Sequence, residues 1–410
     1  MTTQAAPLVT RQRSRLSGIW TALRLFWIGV SRNRAGFIGF LGIVFYVILV
    51  ILGPILVPFD DKVKLDEIAS PPGSRIQLMT RSENAATYTS LESLAGKIVG
   101  VIGNTGGPML VEPYGDTFEV EEFRWQAGRG IDRGLEALTD GDIDALVIFS
   151  QSVKNYVTEP ERAGNENIYT NLTVSNPGLG PAHLFGTDTQ GRDIFSHIMN
   201  GGASLIFTAL LAGLFSTVIA FSLGALAALV GGFVDRSLTA IANFVLVIPR
   251  FPLLVVLAAF IQLNNFILLA TLIALLSWPT LMRAVRAQVL SLRERDYVEA
   301  AVALDLGRWH IMTREILPNM ISFVAINLIF AVTGAMYEQV GLIFLGMAPI
   351  NDYNWGVMLY FGRSRGTLFN PDSAMMVLAP VLAIAFFQVS MVMFARALEE
   401  IFNPRLRSSL

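Results

Sequence analysis

The chain of 410 residues contains no cysteine, which excludes disulfides and thiolate-held metal ions. Its three histidines, His183, His197 and His310, are scattered too widely for a histidine-based metal site. It lacks the G-x-x-x-x-G-K-[ST] pattern whose backbone amides and lysine cradle nucleotide phosphates, so ATP binding or hydrolysis on this chain is not expected. Charge is scarce too: 15% of residues are charged, against about 25% in an ordinary soluble protein. The net charge of −2 gives no basis for a nucleic-acid partner.

Apolar residues fill the place of the missing charge, at 53% of the chain. They gather in six runs, over 35–57, 204–230, 237–261, 265–285, 321–346 and 374–397. Each is long enough to cross a hydrocarbon layer of roughly 30 Å. The third and fourth are separated only by a polar tip containing Gln262, Asn264 and Asn265. Pro249, Pro252 and Pro279 lie inside runs, where neighbouring helices can satisfy the freed carbonyls. No Lys, Asp or Glu stands near the middle of a run, which argues against a proton relay. Ahead of the first run, six arginines from Arg11 to Arg34 surround the stretch SGIWTALRLFWIGV, and residues 14–31 read as an interfacial helix. The first run itself is too long for the apolar core of a signal peptide.

Basic residues set the orientation. The N-terminal arginines, the cluster Arg283, Arg286, Arg293, Arg295, Arg308 and Arg314, and Arg405 and Arg407 all fall on one side after six crossings. Both termini are therefore expected in the cytoplasm, with 58–203 and 347–373 outside. The expected organisation is a basic tail and interfacial helix (1–34), a first transmembrane helix (35–57), an extracytoplasmic insert (58–185), a membrane core (186–400) with a cytoplasmic loop (286–319), and a tail (401–410). The fold class is an all-α polytopic membrane protein with six transmembrane helices, carrying a small α/β unit between spans one and two.

The insert is too long for a plain loop. Lys97–Ile102 reads as an apolar strand, Gly103–Pro108 as a Gly-rich turn opening a helix, and Phe118–Trp125 as an alternating strand. Ala127–Thr139 reads as a helix with Ile131, Leu135 and Leu138 on one face, and Ile143–Phe149 as a buried strand after the turn Asp140-Gly141-Asp142.

The stretch Asp296–Asn319 is short, charged and amphipathic, between two apolar runs. Tyr297, Ala301 and Leu304 are spaced to share one helical face, and Trp309, Met312 and Ile316 another, with a break at Asp305-Leu306-Gly307. Small residues at Ala300, Ala301 and Ala303 permit close approach of another backbone. The sequence EAA at Glu299–Ala301, followed by ILP at Ile316–Pro318, resembles the cytoplasmic EAA loop of ABC importer permeases. The resemblance implies that Tyr297, Glu299, Ala300, Ala301, Leu304, Asp305, Gly307, Trp309, Ile316, Leu317 and Pro318 couple the chain to an ATPase subunit. One departure stands out: the family's usual glycine position is held by Asp305. Aspartate is among the few non-glycine residues that tolerate a left-handed backbone.

Phe185–Leu205, with Gly186, Asp188, Gly191, Arg192 and Asp193, is similar to the segment before the second span in dipeptide, oligopeptide and nickel permeases of the C type. Either Thr189 or Asp193 is suited to cap the helix that follows. The C-terminal segment from Trp355-Gly356 to Pro404-Arg405-Leu406 follows the same family, although Phe394-Ala395 replaces its usual small residue and acid. Ser90–Val153 resembles part of one lobe of a type 2 periplasmic binding protein. The resemblances imply a non-enzymatic translocation subunit in the plasma or inner membrane. Its implied partners are a second homologous permease, two ATP-binding subunits that hold ATP and magnesium, and an extracytoplasmic solute-binding protein. The expected solute is a peptide or similar small molecule; nickel or an oligosaccharide, or an ion-coupled secondary transporter, are the alternatives.

Overall fold

The computed structural model describes residues 27–402 except 28, 60, 61, 65, 66, 125–128, 262, 264, 351–353 and 370. Most of the expected interfacial helix and the C-terminal Pro404-Arg405-Leu406 lie outside the described residues.

Helix α1 (Arg34–Leu56) starts at Asn33, whose side-chain oxygen accepts from the Gly36 N–H at 2.8 Å. The Asn33 amide also donates to Glu400 at 2.5 Å, tying the start of α1 to the far end of the chain. Gly36, Gly39 and Gly42 line the contact with residues 390–397, and a Cβ on Gly39 would sit 2.7 Å from the Ser390 carbonyl oxygen. Removing side chains lets the two backbones touch, which is how helices gain packing where the surroundings are as apolar as they are. Ile38, Phe45, Ile51 and Ile55 point outward and leave an apolar face for a bilayer to cover.

The insert is a five-stranded sheet of β1 (Ile76–Arg81), β2 (Ile98–Ile102), β3 (Glu119–Phe123), β4 (Ala145–Phe149) and β5 (Leu172–Asn176), in the order β3-β2-β4-β1-β5. Strand β2 pairs in parallel with β3 and β4; β1 pairs antiparallel with β4 and β5. Successive side chains alternate across the sheet. Met79, Ile102 and Ile148 thus enter one core with Leu135 and Leu138, while Leu78, Val101 and Val147 enter the other with Leu94. Short helix α2 (Gly107–Val111) follows β2, and α3 (Gly130–Asp140) ends at Gly141, whose φ of +92° only glycine adopts readily.

Three of these strands are the ones expected from sequence, with tighter bounds: the first begins at Ile98, the second is Glu119–Phe123, and the third begins at Ala145. The helix expected from Ala127 is described from Gly130, residues 125–128 lying outside the description. Strands β1 and β5 have no such signature in the sequence. IQLMTR and LTVSN carry no clean alternation, and their partner strands are remote in sequence.

The remaining chain is helical: α4 (Ile194–Asn200), α5 (Gly202–Val230), α6 (Gly232–Val247), α7 (Arg250–Ile261), α8 (Phe266–Arg293), α9 (Asp296–Ala303), α10 (Leu317–Phe344), α11 (Trp355–Ser364) and α12 (Met375–Phe402). Among the described residues, five helical stretches are long and apolar enough to cross a membrane, and the α6–α7 pair makes a sixth if counted as one span. The expected span over 237–261, with Pro249 and Pro252 inside it, is this pair of helices, bent by 84°. Proline disfavours helical geometry in the residue before it, and Ile248 is extended at φ −80° and ψ 128°. Pro249 brings no N–H to continue the ladder. Asn265 caps α8 by accepting from the Leu268 N–H at 2.8 Å. Helix α5 lies at the centre, with Gly213 against Val332 of α10 and Gly224 against the Met282 carbonyl of α8. Trp355 is fully buried beside Gly201 and Gly202, and its indole N–H donates to the Ile198 carbonyl at 3.1 Å.

Candidate functional site

The segment between α8 and α10 is built from two short helical pieces and one turn. Helix α9 ends in a double hydrogen-bonded turn: the Leu306 N–H donates to the Ala301 carbonyl at 3.1 Å and the Asp305 N–H to the Val302 carbonyl at 2.9 Å. This pattern needs a left-handed residue just past the helix, and Asp305 supplies it at φ +54°. The aspartate therefore adopts the left-handed geometry, and Leu306 packs back toward Ala301 in one apolar cluster. Gly307, by contrast, has an ordinary negative φ of −57°.

After Arg308–His310 the chain widens into a π-wound turn over Ile311–Ile316 before α10 begins. In such a turn residues five apart face the same way, so Ile311 and Ile316 are both buried. They join Val298 and Ala301 against Phe221, Ala225, Val285 and Val289 of the membrane helices. This corrects both faces expected from spacing. Val298 and Ala301 seat α9, while Tyr297 is exposed and Leu304 stands past the helix end. Trp309 does not share a buried face with Ile316.

What remains outward is apolar: Leu304 is 73% and Trp309 74% exposed, with Tyr297 and Val302 also outward. Exposed Glu299, Ala300, Ala303 and Arg308 surround them. Leu317 is half-buried and Pro318 exposed at the first turn of α10. The patch follows the arginine-bearing end of α8 in the chain. An exposed apolar patch rimmed by polar groups marks a protein contact.

The second family segment forms a stem under the sheet. Chain entering the insert and chain leaving it run side by side: Lys64 N–H to Gln190 O at 2.9 Å, Ala69 N–H to Asp188 O at 2.8 Å, Thr187 N–H to Ser70 O at 3.0 Å and Gly73 N–H to His183 O at 2.9 Å. Gly186 and Gly191 have φ of +75° and +76° and press on the backbones of Ser70–Pro71 and Lys64, where a Cβ would not fit. Asp188 is buried. One of its oxygens accepts from the Gln190 and Arg192 N–H groups at 2.8 and 2.9 Å; the other takes the buried Arg192 guanidinium at 2.9 and 2.6 Å. Thr187 donates to the Glu67 carbonyl and accepts from the Ser70 N–H. Asp193, and not Thr189, caps α4, accepting from the Phe195 N–H at 2.8 Å.

Asp193's second oxygen lies 3.5 Å from His183 Nδ1, and Glu67 lies 3.4 Å from Nε2. Burial disfavours the charged imidazole, but its hydrogen bonds to Asp193 and Glu67, and their charges, outweigh it and raise the His183 pKa to about 9. His197 also comes near a carboxylate of the same segment, Asp188, at 3.9 Å. Among the described residues no group of His, Asp or Glu is placed to hold a metal ion. The Gly-rich turn after β2 opens a helix of only five residues, and Thr105 already accepts from the Gly107 N–H at 3.1 Å.

Two ion pairs between helices escaped sequence reasoning. Asp235 of α6 holds Arg286 of α8 through two contacts of 2.5 and 2.6 Å. Buried Glu338, within two turns of the end of α10, pairs with Arg250 at the α6–α7 break. Only the position of Arg250 beside Pro249 hinted at the second pair.

Among the described residues, five or six apolar crossings with a seated, outward-facing amphipathic segment define a multi-pass membrane protein. Comparison with known proteins gives the family. The profile described as binding-protein-dependent transport system inner membrane component matches residues 218–408, and that of the N-terminal TM domain of oligopeptide transport permease C matches 21–72. A Brucella suis protein named a peptide permease is 34% identical over 235 residues, covering 57% of this chain and 77% of the relative. Another from the same organism, named a peptide transport system permease, is 30% identical, covering 56% and 76%. The oligopeptide transport system permease protein of Haemophilus influenzae is 29% identical, covering 48% and 63%. A solved amino acid ABC transporter substrate-binding protein from Streptococcus pneumoniae is 18% identical, covers 28% of this chain and 45% of its own, and has a TM-score of 0.22, too slight a likeness to bear on the fold.

The chain belongs to the binding-protein-dependent inner membrane components, on the oligopeptide-type permease branch. It is a multi-pass inner membrane protein, and its family is the membrane component of a larger transporter complex. Neither profile reaches the five-stranded sheet or the stem segment Gly186–Asp193.

Proposed function

We propose that this chain is the translocation subunit of an ATP-driven importer for peptides or related small solutes. The carrying observation is the exposed Tyr297, Val302, Leu304 and Trp309 face, held outward because Val298, Ala301, Ile311 and Ile316 fix the same segment to the membrane core. An ATPase docked there can move spans α5, α8 and α10 through one packed cluster. ATP and magnesium then reside on two ATP-binding partners, a second homologous permease closes the path, and a solute-binding protein delivers cargo on the opposite side. Arginine placement puts this segment and both termini in the cytoplasm. Relatives named peptide permeases support the solute class.

In this reading the insert, on its hydrogen-bonded stem, is an accessory docking or gating platform beside the binding protein. Six-span type I importer architecture follows if the α6–α7 pair counts as one broken span. The test is reconstitution of the whole complex in vesicles with labelled peptide. Uptake that requires ATP and the binding protein supports the importer. Uptake driven by an ion gradient without ATP sinks it in favour of a secondary transporter.

A further inference from the structure

Resting on that reading, we propose that the cleft between α6 and α8 is this chain's wall of the solute path, and that Arg283 receives the carboxylate of a peptide in transit. The cleft has a volume of about 650 Å³ and is lined by Thr239, Asn243 and Leu246 of α6 and by Thr280, Arg283 and Arg286 of α8. That volume lies within the ~300–1,000 Å³ typical of small-molecule sites.

The two arginines are not equivalent. Arg286 is engaged by both oxygens of Asp235, and Thr239 also leans on Asp235, at 3.4 Å. Arg283 is exposed in the cleft and has no hydrogen-bond or ion-pair partner among the described residues; Asn243 and Thr280 are likewise exposed without one. Arg283 sits about 15 Å before the Arg293 end of α8 at 1.5 Å per residue, inside the helix and not in its charged terminal turn. A guanidinium, an amide and a hydroxyl facing hydrocarbon are costly, so such groups turn toward a water-filled path or another polar surface. The groove between α5 and α8 differs: it is lined by Leu214, Phe215, Val218, Ile219, Ala274 and Leu275, and its one hydroxyl, on Thr271, is turned back to the Ile267 carbonyl.

Every linear peptide carries a terminal carboxylate whatever its sequence. A guanidinium fork binds that group in two parallel hydrogen bonds, and Thr280 and Asn243 offer neutral partners beside it. One cation in an open cleft holds cargo weakly, which suits a group that must also let it go.

The experiment compares uptake of one labelled peptide with a free or an amidated C-terminus, by the reconstituted complex with its binding protein. Wild type should favour the free acid. Arg283→Gln should lower free-acid uptake roughly tenfold, to the amidated level, with amidated uptake unchanged; Arg283→Lys should keep part of the preference. Both variants use the same binding protein, so a change in the ratio reports the membrane path alone. An Arg283→Gln complex with the wild-type ratio overturns the proposal. So does loss of the second permease from Arg283→Gln but not Arg283→Lys, which would make Arg283 a subunit contact. A wild-type complex that moves neither peptide, yet hydrolyses ATP with its binding protein, overturns the peptide reading itself.

Discussion

At Asp188 and Arg192 two full charges are buried against each other and against backbone N–H groups, directly below the sheet. Removing one partner strands the other, so Asp188→Ala should destabilise the stem by about 3–5 kcal/mol. Thermal unfolding of the purified complex reads this, and a paired Asp188→Leu, Arg192→Met variant should lose much less. His183 adds a pH dependence. Its folded pKa of about 9 lies above the ordinary 6.5. The clamp on Glu67 and Asp193 is therefore complete below about 6.5 and fades as pH rises through about 9. The stability difference between wild type and His183→Gln should accordingly be largest near pH 6 and close above pH 9; a gap that widens with pH would contradict the assignment. At Asp305 the left-handed backbone is tolerated at a cost. Asp305→Gly should stabilise the turn by up to about 1 kcal/mol and Asp305→Val should loosen it, as read by amide exchange of Leu306.

On the scale of elements, α9 and the π-wound turn divide into a seat and a face, and the two should fail differently. Ala301→Leu overfills a closed pocket and should cost about 1–3 kcal/mol within this chain. Leu304→Ser with Trp309→Ala should leave the chain folded but release the ATPase subunits during co-purification. Loss of fold in the second case, or retention of the ATPases, would contradict the division. The amphipathic character of this segment was legible from charge and apolar spacing; its phase was not. Leu304 falls beyond the last turn of α9, and the five-residue spacing of Ile311 and Ile316 belongs to a π turn that a regular 3.6 period does not show. Pro249 and Pro252 announced a disturbance, but the bend they permit is accompanied by a non-local pair, Arg250 with Glu338. Strands β2 and β4 could be read because both faces are buried, whereas β5 buries only Leu172 and left no pattern to find.

Across the whole molecule, the apolar helices and the α/β insert are joined by a stem that leaves little slack. Backbone hydrogen bonds link Lys64 to Gln190 and Ala69 to Asp188, Ser196 donates to the Pro58 carbonyl at 3.2 Å, and Asn200 to the Val57 carbonyl at 2.9 Å. Movement at α4 and α5 would therefore be felt by the sheet, and movement at the Val298–Ala301 seat is felt by α5 through Phe221 and Ala225. On the proposed function, the Leu304–Trp309 face carries ATPase motion into this frame. The absence of cysteine makes it directly testable, because Leu304→Cys gives the chain a single thiol. In the assembled, transport-active complex, a short thiol-to-amine cross-linker placed on that cysteine should capture an ATP-binding subunit. An active complex in which it captures none, while a cysteine elsewhere on the chain does, would rule out docking at this face.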